Sequence, residues 1–79
     1  MTQEETITLL FNRIRDLKVK TFHMDKRDAA SDVQHFMRQC CRNYNSETYD
    51  WEDATNTETV RLLRQYLKKE KQYIKENNL

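Results

Sequence analysis

Glycine and proline are both missing from the chain. Tight β-hairpins usually place glycine or asparagine where the backbone φ angle is positive, and a sheet of many strands needs several such turns. A chain that lacks both residues and is rich in Lys, Arg, Glu, Gln and Leu favours helices joined by polar loops. At 79 residues the chain is long enough for one small domain. We therefore predict an all-α protein, with a single domain that spans residues 1–79.

Cysteine is scarce, since only Cys40 and Cys41 are present. Adjacent cysteines do not reach ordinary disulfide geometry without backbone distortion, and no third cysteine exists to pair with either. Met1–Glu5 is polar and acidic, unlike a secretory leader. No apolar run approaches the ~20 residues that cross a bilayer. We expect a reduced, cytoplasmic protein with no membrane segment.

Apolar residues are also few, at 37% of the chain against 34% charged residues, a balance that disordered chains share. The periodic placement of the apolar residues argues against disorder. The formal net charge of +1 provides no global field that would attract nucleic acid. The charges are nevertheless segregated, because residues 45–58 hold five acids and no base, whereas residues 61–75 hold six bases and one acid. This pattern predicts a dipolar surface.

The first helix is predicted over about residues 3–20. Thr2 and Glu5 have the spacing of a capping box, in which each side chain satisfies a free backbone amide at the start of a helix. Apolar residues then recur at i, i+3, i+4 and i+7 from Ile7 to Leu17. This spacing gives the helix one apolar face.

Two further helices are predicted over about residues 26–43 and 58–76. Asp25 is the expected N-cap of the second helix, and Thr55 with Glu58 repeats the capping-box spacing at the start of the third. A break is expected near residues 21–24, although one long bent helix is an alternative. Three amphipathic helices bury their apolar faces together most simply as a small three-helix bundle.

Residues 44–57 are predicted to form an acidic loop that carries three aromatic residues. Tyr44, Tyr49 and Trp51 are more aromatic side chains than a disordered loop usually has. The favoured interpretation is a lid that folds back on the core, with one helical turn near residues 49–53. The alternative is that the aromatic side chains are exposed for a partner.

The third helix has two distinct flanks. On one side an apolar stripe runs along the helix, and Tyr66 and Tyr73 widen it. The other flank carries bases at a 3-4-3-4 spacing with no acid between them, which we call the basic arc. An ordinary solvated face is the alternative interpretation of the arc, and tyrosines that cap the core edge are the alternative for the widened stripe. The basic arc consists of Arg61, Arg64, Lys68, Lys71 and Lys75.

No catalytic or metal-binding pattern is present. The acids near Trp51 have no adjacent base for acid–base chemistry, so a solvated acidic loop is the better interpretation. His35 and Cys40 lie five residues apart on a helix, where their side chains diverge, and no set of three or four ligands has a recognisable spacing. We expect Cys40 to be a core residue and Cys41 a partly buried neighbour. The predictions are no enzymatic activity, no metal, no cofactor and no small-molecule substrate.

The remaining features indicate a small intracellular interaction or regulatory protein that binds a partner protein or itself. The alternative is a nucleic-acid-binding protein that contacts phosphates with the basic arc, although no helix-turn-helix pattern is evident. A tiny, charged, helical chain without a motif is similar in general appearance to small regulatory proteins of phages and mobile elements. That likeness assigns no residue a role. The candidate partner-binding residues are Tyr49, Trp51, Arg61, Arg64, Tyr66, Lys68, Lys71, Tyr73 and Lys75.

Overall fold

The computed structural model describes all 79 residues and contains three helices and two short strands. The three predicted helices are present. A small antiparallel sheet between the second and third helices makes the chain mostly helical rather than all-α. No helix combines the length and the apolar character that a membrane span requires. The elements are α1 (Gln3–Phe22), α2 (Lys26–Cys40), β1 (Arg42–Asn45), β2 (Asp50–Asp53) and α3 (Asn56–Glu76).

The capping residues start the helices where the sequence predicts. The Thr2 hydroxyl oxygen accepts a hydrogen bond from the Glu5 amide at 3.1 Å, and that of Thr55 accepts one from the Glu58 amide at 3.2 Å. Asp25 is the N-cap of α2, and its carboxylate accepts the amide hydrogen bond two residues later. Each bond satisfies an amide that the first helical turn leaves free.

The ends of the helices differ more from the predicted bounds than the starts do. Helix α1 continues past residue 20 to Phe22 and ends at His23, whose φ of 55° is in the left-handed region. A left-handed residue directly after a helix is the usual stop signal, and glycine most often supplies it. Helix α2 ends at Cys40 rather than at residue 43. Helix α3 starts two residues early, at Asn56.

The predicted loop 44–57 is wrong, because β1 and β2 form an antiparallel hairpin there. Asn45 pairs with Asp50 at the last register position, and its side-chain oxygen accepts the amide of Glu47 at 2.9 Å. Tyr49 closes the turn with a φ of 56°. Hairpin loops of this length commonly need one residue at positive φ. The absence of glycine therefore did not exclude a hairpin, because Asn45 and Tyr49 together build the turn.

The core lies where α1 packs against both α2 and α3. Four buried apolar side chains form its centre, and Ile14, Val33 and Leu63 are completely inaccessible to solvent. Each fully buried side chain of this kind stabilises the fold by about 1.5–3 kcal/mol. Helices α2 and α3 have few direct backbone contacts with each other, so α1 is the element that holds both of them. The central cluster is Leu10, Ile14, Val33 and Leu63.

The molecule is elongated, with extents of 46 × 27 × 24 Å. Helices α1 and α3 run in the same direction, because their first residues contact each other and so do their last. At one end, the Gln3 side chain donates to the Thr57 hydroxyl at 2.8 Å. At the other end, the rings of Phe22 and Tyr73 pack with their centroids 6.2 Å apart. The hairpin lies at the end where α1 and α3 begin, because β2 leads directly into α3.

Lys18 is an unexpected member of the protein interior. The sequence presents it as one of the bases near the end of α1, yet only 9% of its side chain is exposed. Its Nζ lies 3.6 Å from a Glu70 carboxylate oxygen and 5.2 Å from the centre of the Tyr66 ring. A long aliphatic stem with a paired ammonium group can fill such a position at the edge of a core.

The surroundings of Lys18 favour its charged form. Burial alone lowers the pKa of the ammonium group, but the side chain of Tyr66 and the carboxylates of Glu70 and Asp32 outweigh it and hold the pKa above the ordinary 10.5. Because the folded-state pKa is the higher one, protonation of Lys18 stabilises the fold at neutral pH. That contribution is lost only as the pH rises through the folded-state value, above 10.5.

The Lys18–Glu70 ion pair can be tested by a double-mutant cycle. We expect Lys18→Met and Glu70→Gln each to lower the free energy of unfolding, because each leaves the other group poorly compensated. The double variant should lose less than the sum, with a coupling of roughly 1 kcal/mol in urea titrations at pH 7. Lys69→Met is the matched control, since Lys69 is exposed on the same helix. Additivity within about 0.3 kcal/mol would contradict the pairing.

Candidate functional site

The hairpin exposes its aromatic side chains to solvent. Tyr44 and Trp51 are directly opposite in the strand register, with ring centroids 5.5 Å apart. They are 53% and 55% exposed, and Tyr49 in the turn is 81% exposed. Residues at alternate strand positions point to opposite faces, so the polar side chains of Asn45 and Glu52, which bond each other at 3.0 Å, lie on the other face. We call Tyr44, Tyr49 and Trp51 the aromatic hairpin surface.

The predicted lid over the core is therefore wrong, and so is the helical turn near residues 49–53. The hairpin attaches to the helices mainly at its base. There the Ala54 amide donates to the Cys41 carbonyl at 2.9 Å, and the Asn43 side chain donates to Glu58 at 3.0 Å. Because Asn43 points towards α3, the aromatic pair on the opposite face of the strands points away from it.

All five side chains of the basic arc are exposed, and none forms an ion pair within the chain. The two ion pairs present are Arg15–Asp16 and Lys18–Glu70, both outside the arc. The acids of the hairpin do not fold across the arc. Its positive charges consequently face solvent without carboxylate partners.

Two residues of α1 that are not among the predicted binding residues add to this positive surface. Arg13 and Lys20 line the same groove between α1 and α3 as Lys71 does, and Leu17 and Leu67 lie between them. Arg13 and Lys20 are seven residues apart, so they lie on one side of α1. Their spacing is visible in the sequence. Their position beside the basic arc depends on the parallel packing of α1 on α3, which the sequence does not show.

Tyr66 and Tyr73 do not share a surface with the basic arc. Tyr66 is half-buried and packs edge-to-face on Phe36 of α2, with ring centroids 4.4 Å apart. Tyr73 is 52% exposed and packs against Phe22. At 100° per residue both tyrosines lie on the flank of α3 opposite to the arc. For Tyr66 the structure matches the alternative interpretation of a tyrosine that caps the core edge.

The two cysteines are placed in the reverse of the predicted order. Cys40 is exposed at the end of α2, whereas Cys41 is buried with 6% of its surface accessible. The helix ends at Cys40, so the next residue leaves the helical path and turns inwards. Burial raises the pKa of the Cys41 thiol, and the neighbouring Cys40 adds to the effect. Both thiols are free.

No group of three or more His, Cys, Asp or Glu side chains converges in a way that would hold a metal ion. The hairpin acids are exposed and form no ion pair, although Asp53 lies opposite Arg42 in the strand register. Comparisons with protein-family models, with curated proteins and with solved structures found no match. The aromatic hairpin surface and the basic arc are the two exposed groups of predicted binding residues.

The placement of the cysteines predicts two alkylation rates. Cys40 should react with iodoacetamide at least about tenfold faster than Cys41, because reaction requires an accessible thiolate. Mass spectrometry of timed samples gives both rates. In Cys40→Ser the fast phase should vanish, and in urea both residues should react alike. Equal rates in the folded protein would show that Cys41 is not buried.

Proposed function

We propose that this chain is a small, non-enzymatic, cytoplasmic regulatory protein that binds a partner protein, either a different protein or a second copy. The contact would use the aromatic hairpin surface together with the basic arc. The observation that carries the proposal is the exposure of Tyr44, Tyr49 and Trp51 on a hairpin that projects from the helices.

Exposed tryptophan and tyrosine at a projecting site favour a protein interface. These residues dominate the binding energy of many interfaces, because they bury a large area with few rotatable bonds. The Tyr44–Trp51 pair is already formed in the free hairpin. Little ordering of these two side chains is then needed on binding, which lowers the entropic cost of association.

The basic arc would guide and orient the partner. Its five unpaired positive charges favour an acidic partner surface, and exposed charges of this kind affect mainly the association rate and the specificity. Tyr73 lies at the edge of α3 on the opposite flank and can contact only a partner that reaches round the helix. Tyr66 is half-buried against Phe36, so we expect it to stabilise the contact between α2 and α3 and not to touch the partner.

Nucleic-acid binding through the arc is the second candidate, and the regular spacing of Arg61, Arg64, Lys68, Lys71 and Lys75 favours it. Such binding would weaken steeply with salt. The exposed aromatic side chains do not alternate with bases as they do on surfaces that stack single strands. The acidic hairpin next to the start of α3 would also repel phosphates. We therefore prefer the protein partner.

Tyr49→Gly is a sharp test of the hairpin, because it removes an aromatic side chain and also suits the positive φ at that position. Loss of binding in this variant is not attributable to an unfolded turn. We expect affinity for a partner recovered from the native cells to fall roughly tenfold or more, as for a residue at the centre of an interface. Arg64→Glu with Lys68→Glu should weaken capture and make the remaining capture less sensitive to salt, because two attractive charges are removed.

Thr48→Ala and Lys69→Glu are the matched controls, since Thr48 is the exposed neighbour of Tyr49 and Lys69 is exposed on the other flank of α3. Both should capture the partner normally. Unchanged capture by the Tyr49 and the arc variants would rule out both surfaces. Binding of a labelled DNA duplex that depends on the arc and not on Tyr49 would support the second candidate instead.

A further inference from the structure

The groove between α1 and α3 has an apolar floor and a positive rim. Leu17 and Leu67 are half-buried at its base, and Arg13, Lys20 and Lys71 surround them. A surface that only bound phosphates would have no use for the two leucines. The combination suits an occupant that carries apolar or aromatic side chains among carboxylates.

One acid, Asp16, lies in this groove, and it is paired with a neighbouring arginine. Asp16 accepts hydrogen bonds from two nitrogens of the Arg15 guanidinium, both at 3.0 Å. Its negative charge is therefore largely compensated by its own neighbour. The groove keeps its positive character.

The positive rim continues along α3. Lys68, Lys71 and Lys75 line the adjoining surface depression, and Lys71 belongs to both. Arg13, Lys20 and Lys71 thus surround the leucines, and Lys68 and Lys75 extend the positive surface along α3. Glu76 is the one acid of this extension, and its carboxylate accepts a hydrogen bond from the Gln72 side chain at 3.0 Å. We call this site the basic groove, and it consists of Arg13, Lys20, Lys68, Lys71 and Lys75 with Leu17 and Leu67.

The complementary chemistry is present on the same chain, at the other end of the molecule. The hairpin carries the acids Glu47, Asp50, Glu52 and Asp53, and Tyr49 and Trp51 lie among them. About 15 residues of α3, or roughly 22 Å at 1.5 Å per residue, separate the start of that helix from Lys71. The hairpin forms no ion pair with the groove of its own chain.

We propose that the basic groove binds the acidic aromatic hairpin of a second copy, so that molecules associate head to tail. This inference rests on the proposed function and names the partner. Tyr49 and Trp51 would cover Leu17 and Leu67. Glu47 in the turn and Asp53, which shares the strand face of Trp51, would face the lysines and Arg13. A contact between two different surfaces leaves one of each free, so association continues into rings or open chains.

The association should depend on concentration and on salt. In sedimentation velocity at about 50 mM salt, the weight-average mass should rise above the 9.7 kDa of one chain between about 10 µM and 1 mM protein. At about 500 mM salt it should return towards the monomer, because exposed charges are then screened within a few ångströms. A monomer at every concentration in low salt would overturn the proposal.

A charge swap tests which surfaces meet. The groove variant Arg13→Glu/Lys71→Glu removes most of the positive charge of the groove, and the hairpin variant Glu47→Lys/Asp53→Lys cancels the negative charge of the hairpin. Each variant alone should associate at least about tenfold more weakly than the unmodified chain. An equimolar mixture should associate again, because the unmodified hairpin of the groove variant can bind the unmodified groove of the hairpin variant. The positions are exposed, and circular dichroism should show an unchanged fold.

Lys26→Glu/Lys69→Glu is the control of equal net charge, since both side chains are exposed and lie outside the groove. It should associate like the unmodified chain. Association that survives in the groove variant, or a mixture that stays monomeric, would overturn the head-to-tail contact. A strictly monomeric chain that still captures a foreign protein through Tyr49 would remove this inference and leave the proposed function standing.

Discussion

The rest of the structure depends on the packing of α1 against both α2 and α3. Ile14 on α1 meets Val33 on α2 and Leu63 on α3, and all three are completely buried. Only eight of the 79 residues are buried, so the core is too small to cover anything beyond the three facing stripes. Lys18, with its charge matched by Glu70, occupies the margin where a larger core would place another apolar residue.

Because the core is small, the hairpin and the charged flanks of the helices remain exposed to solvent. The hairpin between α2 and α3 lies outside this core, and its aromatic side chains pack on each other and face water. The separation of charge along the chain becomes a separation in space, with acids on the hairpin and bases along the flank of α3 and α1. The net charge of +1 conceals this dipolar surface. The aromatic acidic end and the basic flank are the two features on which the proposed binding function rests.

The parts of the fold that depend on local spacing were predictable. The capping residues Thr2, Asp25 and Thr55 and the apolar period located three helices to within a few residues. The absence of glycine argued against a hairpin, and that argument failed. Tyr49 adopts the positive φ angle that glycine usually provides in such a turn, as His23 and Asn78 do after helices. Such a conformation costs a non-glycine residue about 1 kcal/mol, which the surrounding structure can compensate.

The features of the fold that depend on packing between helices could not be predicted from the sequence. The exposed basic arc followed from helical periodicity, but the contribution of Arg13 and Lys20 required the parallel arrangement of α1 and α3. The burial of Lys18 depends on Glu70, which is 52 residues away in the chain. The reversed placement of Cys40 and Cys41 follows from the end of α2, and helix ends are the least certain part of any prediction from periodicity.

The central claim is that the middle of the chain is a hairpin which holds its aromatic side chains in solvent in the free protein. Trp51 is the single tryptophan, so its fluorescence reports on this claim without interference. In dilute, folded protein at neutral pH, Trp51 emission should lie close to that of indole in water, and acrylamide should quench it readily. Blue-shifted emission that resists acrylamide until the protein is unfolded would show that Trp51 is buried, and would contradict the exposed hairpin.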